Sequence, residues 1–95
     1  MILNEVYGVL LERKLNPKEN SYTSHLLYHE KGINKILEKI GEECTELILA
    51  AKDNRREEVI HETADLIYHI LVLLVKLDIK LSEIWEEFER RRGST

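Results

Sequence analysis

Apolar residues return at steps of three and four along most of this chain, the period of a helix with one buried face. The clearest run is Ile33, Ile36, Leu37, Ile40, Cys44, Leu47, Ile48 and Ala51, a continuous stripe that Asp53-Asn54-Arg55-Arg56 brings to an end. An earlier run, with Leu3, Val6 and Leu10 flanked by Tyr7 and Leu11, predicts a helix over Leu3 to Lys14. The stretch Leu15 to Ser21 breaks the pattern, because Pro17 disfavours a helical Asn16. Ser21-Tyr22-Thr23-Ser24 then offers hydroxyls to cap a short helix over about Tyr22 to His29, which Gly32 separates from the long stripe. A second long helix runs from about Arg56 to Leu77 and is apolar nearly all round after Ala64. A last helix is expected to start at Ser82 as N-cap. Its acidic opening, Glu83 to Glu89, and its Arg90-Arg91-Arg92 end complement the helix dipole, with Ile84, Trp85 and Phe88 on the buried side.

Hairpin-turn dipeptides and strict alternation are missing, so the pattern predicts an all-α fold. At 95 residues it is one domain, residues 1–95, a bundle of four to five helices around two long antiparallel central ones. A helix that is apolar on every side must be covered on every side. So short a chain has few helices to do that, which predicts a homodimer or higher homo-oligomer that joins two copies into a larger bundle.

Charge changes the picture. Eighteen acidic against fourteen basic residues leave a net of −4, which argues against a nucleic-acid partner and, taken alone, against any polyanionic ligand. A single cysteine, Cys44, excludes an internal disulfide and a cysteine-based zinc site. The N-terminal MILNEVYGVLLERK has no basic stretch ahead of its apolar residues, unlike a signal peptide. The most apolar stretch, Leu66 to Leu77, is too short for a bilayer that needs ~20 residues. These features predict a soluble, cytoplasmic protein with no membrane association.

The acidity is locally organised. Glu43 and Glu46 are three apart on the first long helix, as are Glu62 and Asp65 on the second. Residues at that spacing are neighbours on one face, ~4.5 Å apart along the axis. On a helical wheel Glu43 falls at the border of the apolar stripe, with Glu46, Lys39 and Lys35 progressively further round and Glu42 beyond them. If the two helices pair antiparallel across the short connection, four carboxylates meet. A divalent cation relieves their repulsion, and oxygen-only ligation selects Mg²⁺ or Mn²⁺. His69 shares the face of Glu62 and Asp65, as a core histidine or a supporting one.

The succession Ser21-Tyr22-Thr23, Gly32, Lys35-Ile36, Lys39-Ile40-Gly41-Glu42-Glu43-Cys44-Thr45-Glu46 and Glu62-Thr63-Ala64-Asp65-Leu66-Ile67-Tyr68-His69 resembles the phosphoribosyl-ATP pyrophosphatase family, within the all-α nucleoside-triphosphate pyrophosphatases. The superfamily's Glu-Glu-x-x-Glu and Glu-x-x-Asp elements match Glu42-Glu43-x-x-Glu46 and Glu62-x-x-Asp65, and Cys44 stands where alanine is expected. The resemblance is to the stand-alone form and not to the fusion with a cyclohydrolase. It implies Mg²⁺-dependent hydrolysis of phosphoribosyl-ATP to phosphoribosyl-AMP and pyrophosphate, the second step of histidine biosynthesis. Glu43, Glu46, Glu62 and Asp65 would be the metal ligands, and Glu42, Glu43 and Glu46 the catalytic carboxylates, with Glu42 or Glu46 acting on the attacking water. Lys35, Lys39 and Arg13 are candidates for phosphate oxygens. Ser21 and Thr23 are candidates for phosphate or ribose, or for helix capping, and Tyr22 for stacking on a base or for packing. Two other readings stay open: a house-cleaning (d)NTP pyrophosphatase with the same carboxylate chemistry, and a helical dimerisation module whose acidic face is only solvated.

Overall fold

A computed structural model describes residues 1–94. Among them there is no strand, and five α-helices follow one another: α1 Ile2–Leu15, α2 Tyr22–Leu27, α3 Ile33–Lys52, α4 Arg56–Lys76 and α5 Leu81–Arg91, with a 3₁₀ turn at Arg92–Ser94. The all-α reading and the two long central helices are as the periodicity predicts. Helix α2 ends at Leu27, two residues short of the predicted His29, and Ser21 is its N-cap, its hydroxyl accepting from the Ser24 N–H at 3.1 Å. At the start of α5 the expectation fails. The N-cap is Lys80 and not Ser82, because Glu83 reaches back to accept the Lys80 N–H at 2.9 Å, the half of a capping box that a glutamate at the third position supplies.

Helices α3 and α4 form an antiparallel hairpin closed by Asp53, Asn54 and Arg55, with Asn54 at φ 56°, a left-handed conformation that asparagine tolerates better than most residues. Gly32, which precedes α3, has φ 60° and ψ −141°, a region essentially reserved for glycine. Helix α1 packs on α4, and α2 is wedged among α1, α3 and α4. The core joins Leu10, Leu26, Leu27, Ile36, Leu71, Val72, Val75 and Leu81. Polar ties hold the bundle's far end: Tyr7 Oη donates to the Ile79 carbonyl at 2.8 Å, and Lys14 Nζ reaches the Val75 carbonyl at 3.0 Å and Asp78 at 2.6 Å. A lysine here meets the negative end of the α4 dipole, and the Val75 carbonyl it reaches also accepts the Asp78 N–H at 3.2 Å.

The register of α3 differs from the predicted stripe. Its inward face runs through Ile36, Ile40, Glu43, Leu47 and Ala50, while Leu37 and Ile48 are 46% and 59% exposed and Ala51 is exposed. Glu43 is therefore buried in the middle of the seam and not at its border. The last helix also covers less than expected, with Ile84 and Trp85 half-buried and Phe88 exposed. Ile60, Ile67 and Ile70 on α4 are exposed as well.

Candidate active site

The antiparallel hairpin sets the site. Glu46 and Glu62 stand eight residues either side of Asn54, and Glu43 and Asp65 eleven, so the two acidic pairs lie level across the seam. Carboxylate oxygens of Glu43, Glu46 and Glu62 come within 4.8 Å of one another, and a second group of ligand atoms from His61, Glu62 and Asp65 does the same. Glu62 belongs to both groups, so the four predicted carboxylates form two overlapping clusters and not one ring. His61 is the member that sequence reasoning left out. It sits one turn before Asp65, with its Nε2 3.5 Å from Asp65 Oδ2, an i,i+4 spacing that was available as a signal.

One oxygen each of Glu43 and Glu62 is buried without any hydrogen-bond donor. Such a group normally carries a large desolvation penalty. The same contacts push Glu62 toward its protonated form. Hydrogen bonding with the Glu43 carboxyl is the largest cause, followed by burial and by Glu46, and together they raise Glu62 from 4.5 to about 7. When both carboxyls are ionised, these two buried oxygens meet no donor among the described side chains, an arrangement that fits a hard divalent cation.

A cleft of about 410 Å³ opens beside this seam, lined by Tyr22, Lys39, Glu43, Asp65, Tyr68 and His69. Lys39 Nζ lies 3.1 Å from Glu42 and 4.0 Å from Glu43. Its hydrogen bond to Glu42 raises the ammonium's pKa despite partial burial, so it stays cationic at the mouth of an acidic cleft. Glu42 and Glu46 are both exposed, Glu46 with its carboxylate in the cluster with Glu43 and Glu62. Tyr22 is 48% exposed, and its hydroxyl meets His69 Nε2 at 2.9 Å, while burial raises the phenol's pKa. His69 is buried and its Nδ1 is 2.7 Å from the Asp65 carbonyl.

The other candidate residues are placed as follows. The Ser21 hydroxyl caps α2. Thr23 is buried and its hydroxyl is bonded to Tyr68 Oη. Lys35 lies half-buried on α3, one turn before Lys39, and is not among the residues lining the cleft. Arg13 is on α1, paired with its neighbour Glu12, and also lies outside the lining. Tyr68, which the sequence reading quoted only as part of a motif, proves to be a wall of the cleft.

Residues 3–92 match the family model described as phosphoribosyl-ATP pyrophosphohydrolase. A phosphoribosyl-ATP pyrophosphatase of Methanococcoides burtonii is 58% identical over 96% of this chain and 92% of its own length, and one of Methanocella arvoryzae is 58% identical over 96% of both. A histidine biosynthesis bifunctional protein of Caldanaerobacter subterraneus is 51% identical over 95% of this chain, which spans 43% of that longer protein. With a match over nearly its whole length, the chain belongs to the phosphoribosyl-ATP pyrophosphohydrolase family, a family of hydrolases.

Proposed function

We propose that this chain hydrolyses phosphoribosyl-ATP to phosphoribosyl-AMP and pyrophosphate, the second step of histidine biosynthesis, at the cleft between α2, α3 and α4. The observation that carries the reading is the buried, donor-less pair of Glu43 and Glu62 oxygens, next to a cationic lysine, in a chain whose relatives bear that name. Glu43, Glu46, Glu62 and Asp65 would hold Mg²⁺, or Mn²⁺ in its place. When bound, the ion neutralises charge on the phosphate oxygens and acidifies nearby water. The chain's own groups do the rest. Water attacks the α-phosphorus, the bond from that phosphorus to the bridging oxygen breaks, and pyrophosphate leaves. Glu42 or Glu46 takes the water's proton. Lys39 offers its ammonium to phosphate oxygens, where negative charge gathers as the bond breaks. The half-exposed face of Tyr22 is available to the base.

The reading extends to assembly. Exposed Leu37 and Ile48 on α3 and Ile60, Ile67 and Ile70 on α4 leave the two longest helices incompletely covered, and we assign their cover to a second copy of this chain, in the cytoplasm. The substrate choice is tested by pyrophosphate release from phosphoribosyl-ATP, ATP and dNTPs in the presence of Mg²⁺. Phosphoribosyl-ATP should be the fastest. Faster release from a dNTP would transfer the chain to the house-cleaning reading, and no release from any of them to the dimerisation-module reading.

A further inference from the structure

The first turn of α2 is held by an unusual pair of contacts. Tyr22 bonds to His69 and Thr23 bonds to Tyr68, so two adjacent residues of one helix meet two adjacent residues of another. Successive helical residues point ~100° apart, so two such bonds fix the rotation of α2 as well as its distance from α4. A six-residue helix has no appreciable stability of its own and takes its orientation from what grips it. Its far end is gripped too, by the Lys76 ammonium on the Leu27 carbonyl at 2.7 Å and by the burial of Leu26 and Leu27.

The histidine's partners set its tautomer. A backbone carbonyl only accepts, so Nδ1, at 2.7 Å from the Asp65 oxygen, carries the proton. Nε2 is then a bare acceptor, and the Tyr22 hydroxyl donates to it at 2.9 Å. This chain of bonds runs from the backbone of a cleft carboxylate residue, through a buried imidazole, to Tyr22, a cleft residue that is 48% exposed. The rings lock as well. Tyr22 and Tyr68 are stacked with centroids 6.2 Å apart, and His69 stands edge-on to both at 5.9 and 5.1 Å. The hydroxyls of Tyr22, Thr23 and Ser21 are all engaged within the protein, to His69, Tyr68 and the Ser24 N–H.

From this we infer that Tyr68 and His69 are positioning residues, which clamp Tyr22 and Thr23 so that the Tyr22 ring stands at a fixed angle beside the carboxylates, and that the Tyr22 and Thr23 hydroxyls serve this clamp and not the substrate. The inference deepens the hydrolase reading above and rests on it for its kinetic test. That test is a double-mutant cycle with Tyr22→Phe and His69→Ala, read as kcat and KM separately on phosphoribosyl-ATP with Mg²⁺. Each single change should lower kcat roughly tenfold or more, on the scale of misplacing a reacting group, with KM little changed. The double variant should be no worse than either single one, and His69→Gln, which keeps an acceptor near the Nε2 position, should recover most of the loss. Additive losses, a Tyr22→Phe effect on KM alone, or unchanged kcat in His69→Ala would overturn the clamp. A second arm needs no turnover and no buried substitution. Imidazole ¹⁵N spectra of the wild-type chain should show His69 protonated on Nδ1 only, with the Nε2 resonance moving in Tyr22→Phe. An Nε2–H tautomer, or no movement, would also overturn it. A wild-type chain inactive on phosphoribosyl-ATP would sink the functional reading and leave this spectroscopic arm to decide the clamp.

Discussion

Glu43 on α3 and Glu62 on α4 face each other across the helical seam, each with one carboxylate oxygen buried and met by no donor. Fully ionised, the pair repels, and contact with Glu43, burial and Glu46 raise Glu62 from 4.5 to about 7. Folding alone gains nothing from two acceptors placed this way. On the proposed reading a cation supplies what no described side chain does, and the net charge that seemed to disfavour a polyanionic substrate is a local metal site.

Removing one member of the pair should separate stability from function. In Glu43→Gln the amide can donate to Glu62, so the metal-free chain should melt a few degrees higher, each kcal/mol being worth about 4–8 °C in a domain this small. Turnover should fall by about 10²–10³-fold, the scale of losing one electrostatic partner of the transition state. Circular-dichroism melting and pyrophosphate release, measured on the same sample, check both.

The pH dependence follows from Glu62. Its acid is raised from 4.5 to about 7, so between those values the folded chain holds a proton that the unfolded chain has released. Stability of the metal-free protein therefore declines as pH rises through that window and levels off above about 7. Urea midpoints in chelator at about pH 5 and about pH 8 should differ in that direction, and Glu62→Gln should reduce the difference.

Much of this was legible in the sequence, and the exceptions have physical causes. Helical period located the long helices, since three- and four-residue spacing survives any register, and the capping hydroxyls at Ser21 to Ser24 located α2. It misjudged which side of α3 turns inward, because Leu37 and Ile48 make a second apolar edge that stays exposed among the described residues. A wheel centred on all the apolar residues drifts toward that edge and leaves Glu43 at the border. The acidic pairs could be read because their spacing is local, whereas the hold of Tyr22 and Thr23 on His69 and Tyr68 spans more than forty residues and has no spacing to betray it. Ser82 misled as an N-cap because a serine beside glutamates fits the preference. The glutamate at the third helical position decided the start instead.

The bundle should be sensitive where it is fully closed. Ile36 is completely buried where α3 meets the core, and Ile36→Ala should cost about 2–5 kcal/mol, read as a lower urea midpoint at unchanged slope.

Assembly has its own test. Sedimentation of the wild-type chain should give the mass of two copies or a multiple, and Ile67→Glu or Ile70→Glu, each at a residue 37% exposed on α4, should shift it toward one copy. A wild-type chain sedimenting as a single copy at micromolar concentration would remove the dimer from the account.

The central claim is that the carboxylates between α3 and α4 are a divalent-cation site. Its most direct test is Mn²⁺ binding, followed by electron paramagnetic resonance or calorimetry, in the wild-type chain, Glu43→Gln and Glu62→Gln, with helicity monitored in each. The account predicts saturable binding in the wild type that is lost or greatly weakened in both variants while helicity holds. Equal binding in all three chains, or none in the wild type, would contradict it.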